Sequence, residues 1–187
     1  MKKIRMNVKK RMNLGRFFLA ISILMVVMSI FSFFGVGAEA SVEGIKCYIY
    51  PAFAFVFGSN LVLSSNGGDL YNLIGRSYRY SPISLAAFIM LVVILIIMFI
   101  CAFANKKTNI VLGIGITLAL VGIGVALNCV KGELANCLHD TLLSDEEVKS
   151  FISTYDLKIG LGYRLSYSFA FLSAAFWLLS LITIPRD

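Results

Sequence analysis

Charge is scarce in this sequence: only 14% of its 187 residues are Asp, Glu, Lys or Arg, against roughly a quarter in a soluble domain. Proline is rare as well, at 3 residues, which leaves long helices uninterrupted. Histidine occurs once, at His139, beside Asp140. A metal centre needs several ligands at workable spacing and a catalytic triad needs a positioned nucleophile, so this histidine reads as a surface side chain. Four cysteines are present, and no two form a Cys-x-x-Cys pair. That absence argues against fast thiol–disulfide exchange, which relies on proximity and a lowered thiol pKa.

What is abundant is apolar surface. Hydrophobic residues make up 59% of the chain, more than one compact core of this size can hide, and lipid is the natural solvent for the excess. Four runs are long enough to cross a bilayer: residues 17–37, 82–104, 110–130 and 165–184. At 1.5 Å per residue the first extends about 30 Å, the thickness of a hydrocarbon core. None of the four carries Asp, Glu, Lys, Arg or His in its interior, and none shows the broken, inverted pairing of a secondary transporter. These absences weigh against proton relay and transport through the bundle.

The net charge of +7 is concentrated in residues 1–16, which hold Lys2, Lys3, Arg5, Lys9, Lys10, Arg11 and Arg16. A basic arm directly before an apolar run carries topology information, and it does not predict a nucleic-acid partner. With four spans, the inner segments hold ten basic residues, including Lys106, Lys107 and Arg186, against Asp187 alone. The outer segments, 38–81 and 131–164, hold seven basic residues against nine acidic ones. The positive-inside rule therefore predicts both termini on the cytoplasmic side of a plasma membrane, with a tight inner turn at 105–109. Ala38-Glu39-Ala40 resembles a signal-peptidase site, but the run before it is long for a leader and is expected to remain as an anchor.

Residues 47–63 are apolar enough to suggest a fifth span, which would place Lys106 and Lys107 outside. Phe53, Phe55 and Phe57 alternate with Ala52, Ala54 and Val56, a period of two that predicts a β-strand with an aromatic face. Turn chemistry follows in Ser64-Ser65-Asn66-Gly67-Gly68-Asp69. In the second outer segment, Ser144-Asp145-Glu146-Glu147 predicts a capped helix start. Val148, Phe151, Ile152 and Tyr155 then recur on one helical stripe. Leu134, Cys137, Leu138 and Leu142 predict another short helix. Arg76, Tyr78, Arg79 and Tyr80 read as an interfacial anchor. The expected fold is all-α: a single antiparallel four-helix membrane bundle with a small outer cap of a β-hairpin or strand plus short helices.

Gly115-x3-Ala119 and Gly122-x3-Ala126 are small-residue pairs of the kind that let helix backbones approach in lipid. Gly113 and the pair Ala170-x3-Ala174, near Ser166 and Ser173, extend the set, which is expected to pack helix on helix. Cys101 lies within a span as a small apolar residue. Cys47, Cys129 and Cys137 lie in or near the outer segments, where an oxidising compartment would allow one bridge. Cys129–Cys137 is the local pairing and Cys47 with either one the cross-loop pairing, with one thiol left over.

The order of basic arm, strand-bearing first outer loop, tight inner turn and second outer loop resembles the layout of claudin-type tetraspan proteins. The claudin Trp and Gly-Leu-Trp with two spaced cysteines is absent, since this loop has no Trp and only Cys47. The double-cysteine-glycine signature of tetraspanins is absent too. Four-span thiol oxidases also carry outward cysteines, but use the Cys-x-x-Cys pair that is missing here. The expectation is a non-enzymatic protein with no cofactor or metal. Its partners would be membrane lipid and other membrane proteins or a second copy of itself, met through outer loops or helix faces. A channel or transport component is the competing reading.

Overall fold

The computed structural model describes residues 2–42, 45–58, 62–65, 70–72, 80–103, 110–139 and 143–183. The expected turn at 66–69, the inner turn, Leu142, and Arg76, Tyr78 and Arg79 of the anchor lie outside these residues. Four helices are long and apolar enough to cross a membrane. They are α1 (Lys2–Phe31), α3 (Pro82–Phe103), α4 (Ile110–Asn128) and α7 (Leu161–Thr183). The basic arm is not a separate element, because α1 runs unbroken from Lys2 through it. The helices pack in a ring, α1 on α7, α7 on α4, α4 on α3 and α3 on α1.

The α1–α7 seam is the most extensive. Ser22 and Ser29 on α1 face Ser173 and Ser166 on α7, so both helices present serines seven residues apart and run antiparallel. The Ser22 hydroxyl donates to the Ser173 carbonyl at 2.8 Å, and the Ser173 hydroxyl returns a bond to the Ser22 carbonyl at 3.0 Å. Ser29 donates to the Ser166 carbonyl at 2.8 Å. All four side chains are fully buried. Small hydroxyls let the backbones approach and satisfy themselves on the facing carbonyls, where an apolar solvent offers no substitute.

At the other end from the basic arm, the cap is a five-stranded antiparallel sheet in the order β4-β3-β2-β1-β5. β1 (Ala38–Val42), β2 (Ile45–Tyr50), β3 (Val62–Ser65) and β4 (Leu70–Asn72) come from the first segment between spans. β5 (Lys158–Ile159) comes from the second. The register pairs Ala38 with Ile49 and Ala40 with Cys47, and Ala38, Cys47 and Ile49 are buried. Glu39 and Tyr48 pair on the opposite face, the alternation a half-buried sheet requires. The first apolar run therefore ends sooner than expected. After a 3-10 turn at Ser32–Phe34 the chain leaves the bundle and is already a strand at Ala38.

The largest departure is α2 (Ala52–Phe57), a helix where alternation predicts a strand. Pro51 opens it and Gly58, at φ 67°, closes it in the left-handed conformation that favours glycine, donating its N–H to Ala54 O. In the helix Phe53 and Phe57 share a face and meet Phe88 with ring centroids 5.5 and 5.7 Å away. Phe55 points the other way and is buried against Gly37. Six residues of alternating Ala and Phe satisfy either period, and burial of both aromatic faces favours the helix.

The second segment folds as α5 (Lys131–Leu138) and α6 (Asp145–Thr154), packed on one another. The capping box is present: Glu147 N–H bonds the Ser144 hydroxyl while the Glu147 carboxylate accepts from Ser144 N–H.

Candidate functional site at the junction of cap and bundle

Three features fasten the cap to the helix ends. The first is a buried polar chain. Ser81 precedes Pro82, a hydroxyl N-cap followed by proline, and its Oγ accepts from the Ser84 N–H at 3.1 Å. The Ser84 hydroxyl donates to Ser81 Oγ at 2.9 Å, and the Tyr163 hydroxyl donates to Ser84 Oγ at 2.7 Å. Ser81 in turn donates to the Glu133 carboxylate, which also accepts from Ile83 N–H at 3.0 Å. Ser81, Ser84 and Tyr163 are fully buried. Glu133 comes from the first turn of α5 and sits at the N-terminus of α3, where unpaired N–H groups and the helix dipole favour an anion. One carboxylate thus joins the start of α3, the start of α7 and the second segment.

The second feature is a crossing of two glycine pairs, Gly35-Val36-Gly37 and Gly160-Leu161-Gly162. Gly160 N–H bonds Gly37 O at 2.9 Å and Gly162 N–H bonds Val36 O at 2.7 Å. A Cβ on Gly160 would stand 2.4 Å from Val36 O, and one on Gly162 would stand 2.6 Å from Ser32 O. Only glycine permits this approach of backbone to backbone. The third is Arg164, whose Nε donates to Ile159 O at 2.7 Å and whose Nη2 meets Glu39 at 3.3 Å, tying α7 to β5 and β1.

Two surface carboxylates in the cap are shifted. Glu147 is held below its ordinary 4.5, first by the Ser144 N–H, then by the Ser144 hydroxyl. Asp156 is held below its ordinary 3.8 by the Lys158 ammonium 2.7 Å away.

The expected packing residues divide. Gly113 and Ala170 and Ala174 are buried in the bundle. Gly113 lies under Leu181, and its carbonyl accepts from Trp177 Nε1 and Thr117 Oγ1, both at 3.0 Å. Gly115 and Gly122 are exposed with open space where a side chain would stand, so neither packs within the bundle. Ala119 and Ala126 are half-buried. Gly124, another of the small residues along α4, is buried and receives the Phe171 ring. The spacing Gly113-x10-Gly124, three turns, marks the inner face.

No two of Cys47, Cys101, Cys129 and Cys137 stand at disulfide distance. Cys47 is buried on β2, Cys137 is buried on α5 and Cys129 is exposed, so the expected bridges have no geometry to form. His139 meets the Phe151 ring edge-on at 5.9 Å. Among the described residues no three of His, Cys, Asp and Glu gather into a metal site.

The polar chain and the glycine crossing escape a sequence reading that looks for chemistry. Their signals are a Ser-Pro helix start and two Gly-x-Gly triplets at the ends of the segments between spans. The junction's hydrogen bonds join the starts of α3 and α7 to the second segment. No protein-family model matches the chain, and no curated protein is similar to it in sequence.

Proposed function

We propose that this chain is a four-span plasma-membrane protein with both ends cytoplasmic, acting as an accessory subunit or scaffold for other membrane proteins and carrying out no catalysis. The observation that carries the reading is the cap's mounting. A folded sheet and two helices are locked onto the bundle by the Glu133 chain, the glycine crossing and the Arg164–Glu39 pair. Meanwhile the buried bundle hydroxyls are engaged in hydrogen bonds with neighbouring protein groups. A cap fastened at three points to a bundle whose buried hydroxyls are engaged suits docking better than passage of a solute. The outward face of α4 supports it, with Val111, Leu118 and Val125 flanking Gly115 and Gly122, a surface against which another helix can lie closely. The asymmetry of basic residues supports the orientation.

Two experiments test the reading. In intact cells, an impermeant thiol reagent labels a cysteine introduced at Lys149 and spares one at Lys107; the reverse pattern overturns the orientation. Photo-crosslinkers at Tyr48 and Leu118 in native membranes capture a discrete partner band. A monomeric chain that captures nothing at either position, or that alone conducts ions in liposomes, sinks the scaffold role.

A further inference from the structure

We infer that the arm end of the bundle carries a seat for one anionic glycerophospholipid, its phosphate on Arg16 and an acyl chain in the groove between α1 and α3. The groove has a volume of about 410 Å3 and is lined by Arg16, Leu19, Ala20, Ile23, Ala102 and Phe103. That volume lies within the range of about 300–1,000 Å3 typical of small-ligand sites. Among its described lining residues five are apolar, and the charged one, Arg16, is the first of the four that α1 contributes. This is the charge pattern of a phospholipid: apolar along its length, anionic at the tip.

Position along the helix agrees. Arg16 is the last residue of the basic arm and stands directly before the apolar run that begins at Phe17, a position from which a long side chain reaches a phosphate at the headgroup boundary. Arg16 is followed at helical spacing by Leu19, Ala20 and Ile23, the other α1 lining residues. Sequence positions 2, 5 and 9 recur at the same spacing ahead of it, and all three are Lys or Arg. A basic cluster beside a span draws anionic lipid toward the surface, and a basic pocket between spans gives the headgroup a fixed site. Phe103, at the end of α3, lines the groove opposite α1, stacks on Phe99 with ring centroids 6.1 Å apart, and remains 81% exposed.

This inference rests on the four-span reading above, but not on orientation or partner. The test uses the full chain in nanodiscs whose two leaflets are identical, so either orientation gives the same result. Phe103→Trp places a reporter at the groove; the one native tryptophan, Trp177, is buried and its signal is subtracted using the parent chain. Brominated phosphatidylglycerol and brominated phosphatidylcholine are titrated against each other as quenchers. The seat predicts that the anionic lipid is preferred by about fivefold, the contribution of one basic side chain near an anionic headgroup. Arg16→Gln removes most of that preference and Arg16→Lys keeps it. Equal quenching by the two lipids, or a preference that Arg16→Gln leaves intact, overturns the proposal; in the latter case the arm attracts lipid diffusely. If Arg16→Gln does not fold, Ala20→Phe fills the groove instead, and unchanged quenching by the anionic lipid is again fatal. None of these outcomes bears on the crosslinking result, so the two readings fail separately.

Discussion

Replacing Glu133 by alanine tests the junction most directly. Its carboxylate accepts from the Ser81 hydroxyl and the Ile83 N–H, at the N-terminus of α3. Hydrogen bonds to a charged group contribute about 1.5–3 kcal/mol each, and a buried donor left unpaired costs more than the bond is worth on average. Ser81 is fully buried, while Glu133 itself is half-buried and therefore partly screened. The expected loss is about 2–4 kcal/mol, of which part is the favourable interaction of the carboxylate with the α3 dipole. Glu133→Gln keeps an acceptor without the charge and is expected to lose about half as much. Unfolding in mixed detergent micelles, followed by Trp177 fluorescence, gives the magnitudes for each variant. The coupling is read from the double-mutant cycle with Ser81→Ala, which should show strong non-additivity because the two groups form one chain. Additive losses, or a Glu133→Ala variant within about 0.5 kcal/mol of the parent, would mean that the carboxylate is solvated and that the lock is not made of these groups.

The glycines give a second contrast. Gly160→Ala forces a methyl against Val36 and Gly37 backbone atoms that cannot swing aside, for a cost of about 3 kcal/mol or more, whereas Gly115→Ala and Gly122→Ala meet open space and stay within about 0.5 kcal/mol. Equal thermal stability of Gly160→Ala and Gly115→Ala would refute the crossing. The capping box makes a pH prediction. Because the Glu147 pKa is lowered in the folded chain, its contribution to α6 is complete above its ordinary 4.5 and disappears as pH falls below that value through the folded pKa. Hydrogen exchange of residues 145–154, corrected for intrinsic rate, should accelerate on acidification in the parent and lose that dependence in Glu147→Gln; identical profiles would remove the box from α6 stability.

Much of the architecture is legible in the residues because it depends on local or compositional physics. Four uncharged apolar runs of bilayer length become helices whatever surrounds them, since in an apolar solvent each must satisfy its own backbone. The start of α6 follows from a hydroxyl and a carboxylate three residues apart, an arrangement that needs no distant partner. Short range fails where two periods fit one string. Ala52–Phe57 alternates perfectly and is nonetheless a helix, because Phe88 and Gly37 supply an apolar surface on each side of it and Pro51 and Gly58 punctuate its ends.

What only the tertiary structure decided is which side of each element faces which neighbour. Gly113 and Gly115 are two residues apart in α4, a rotation of about 200° at 3.6 residues per turn, and so one lies beneath Leu181 while the other faces outward. Composition cannot supply that rotation. Nor does spacing reveal that Glu133 reaches Ser81, 52 residues away in sequence, or that the two Gly-x-Gly triplets cross. The scarcity of charge and long apolar runs determined that four helices could span a membrane. The non-local hydrogen bonds at Glu133, the glycine crossing and Arg164 decided how firmly the cap sits on them, because each joins elements that no local rule connects.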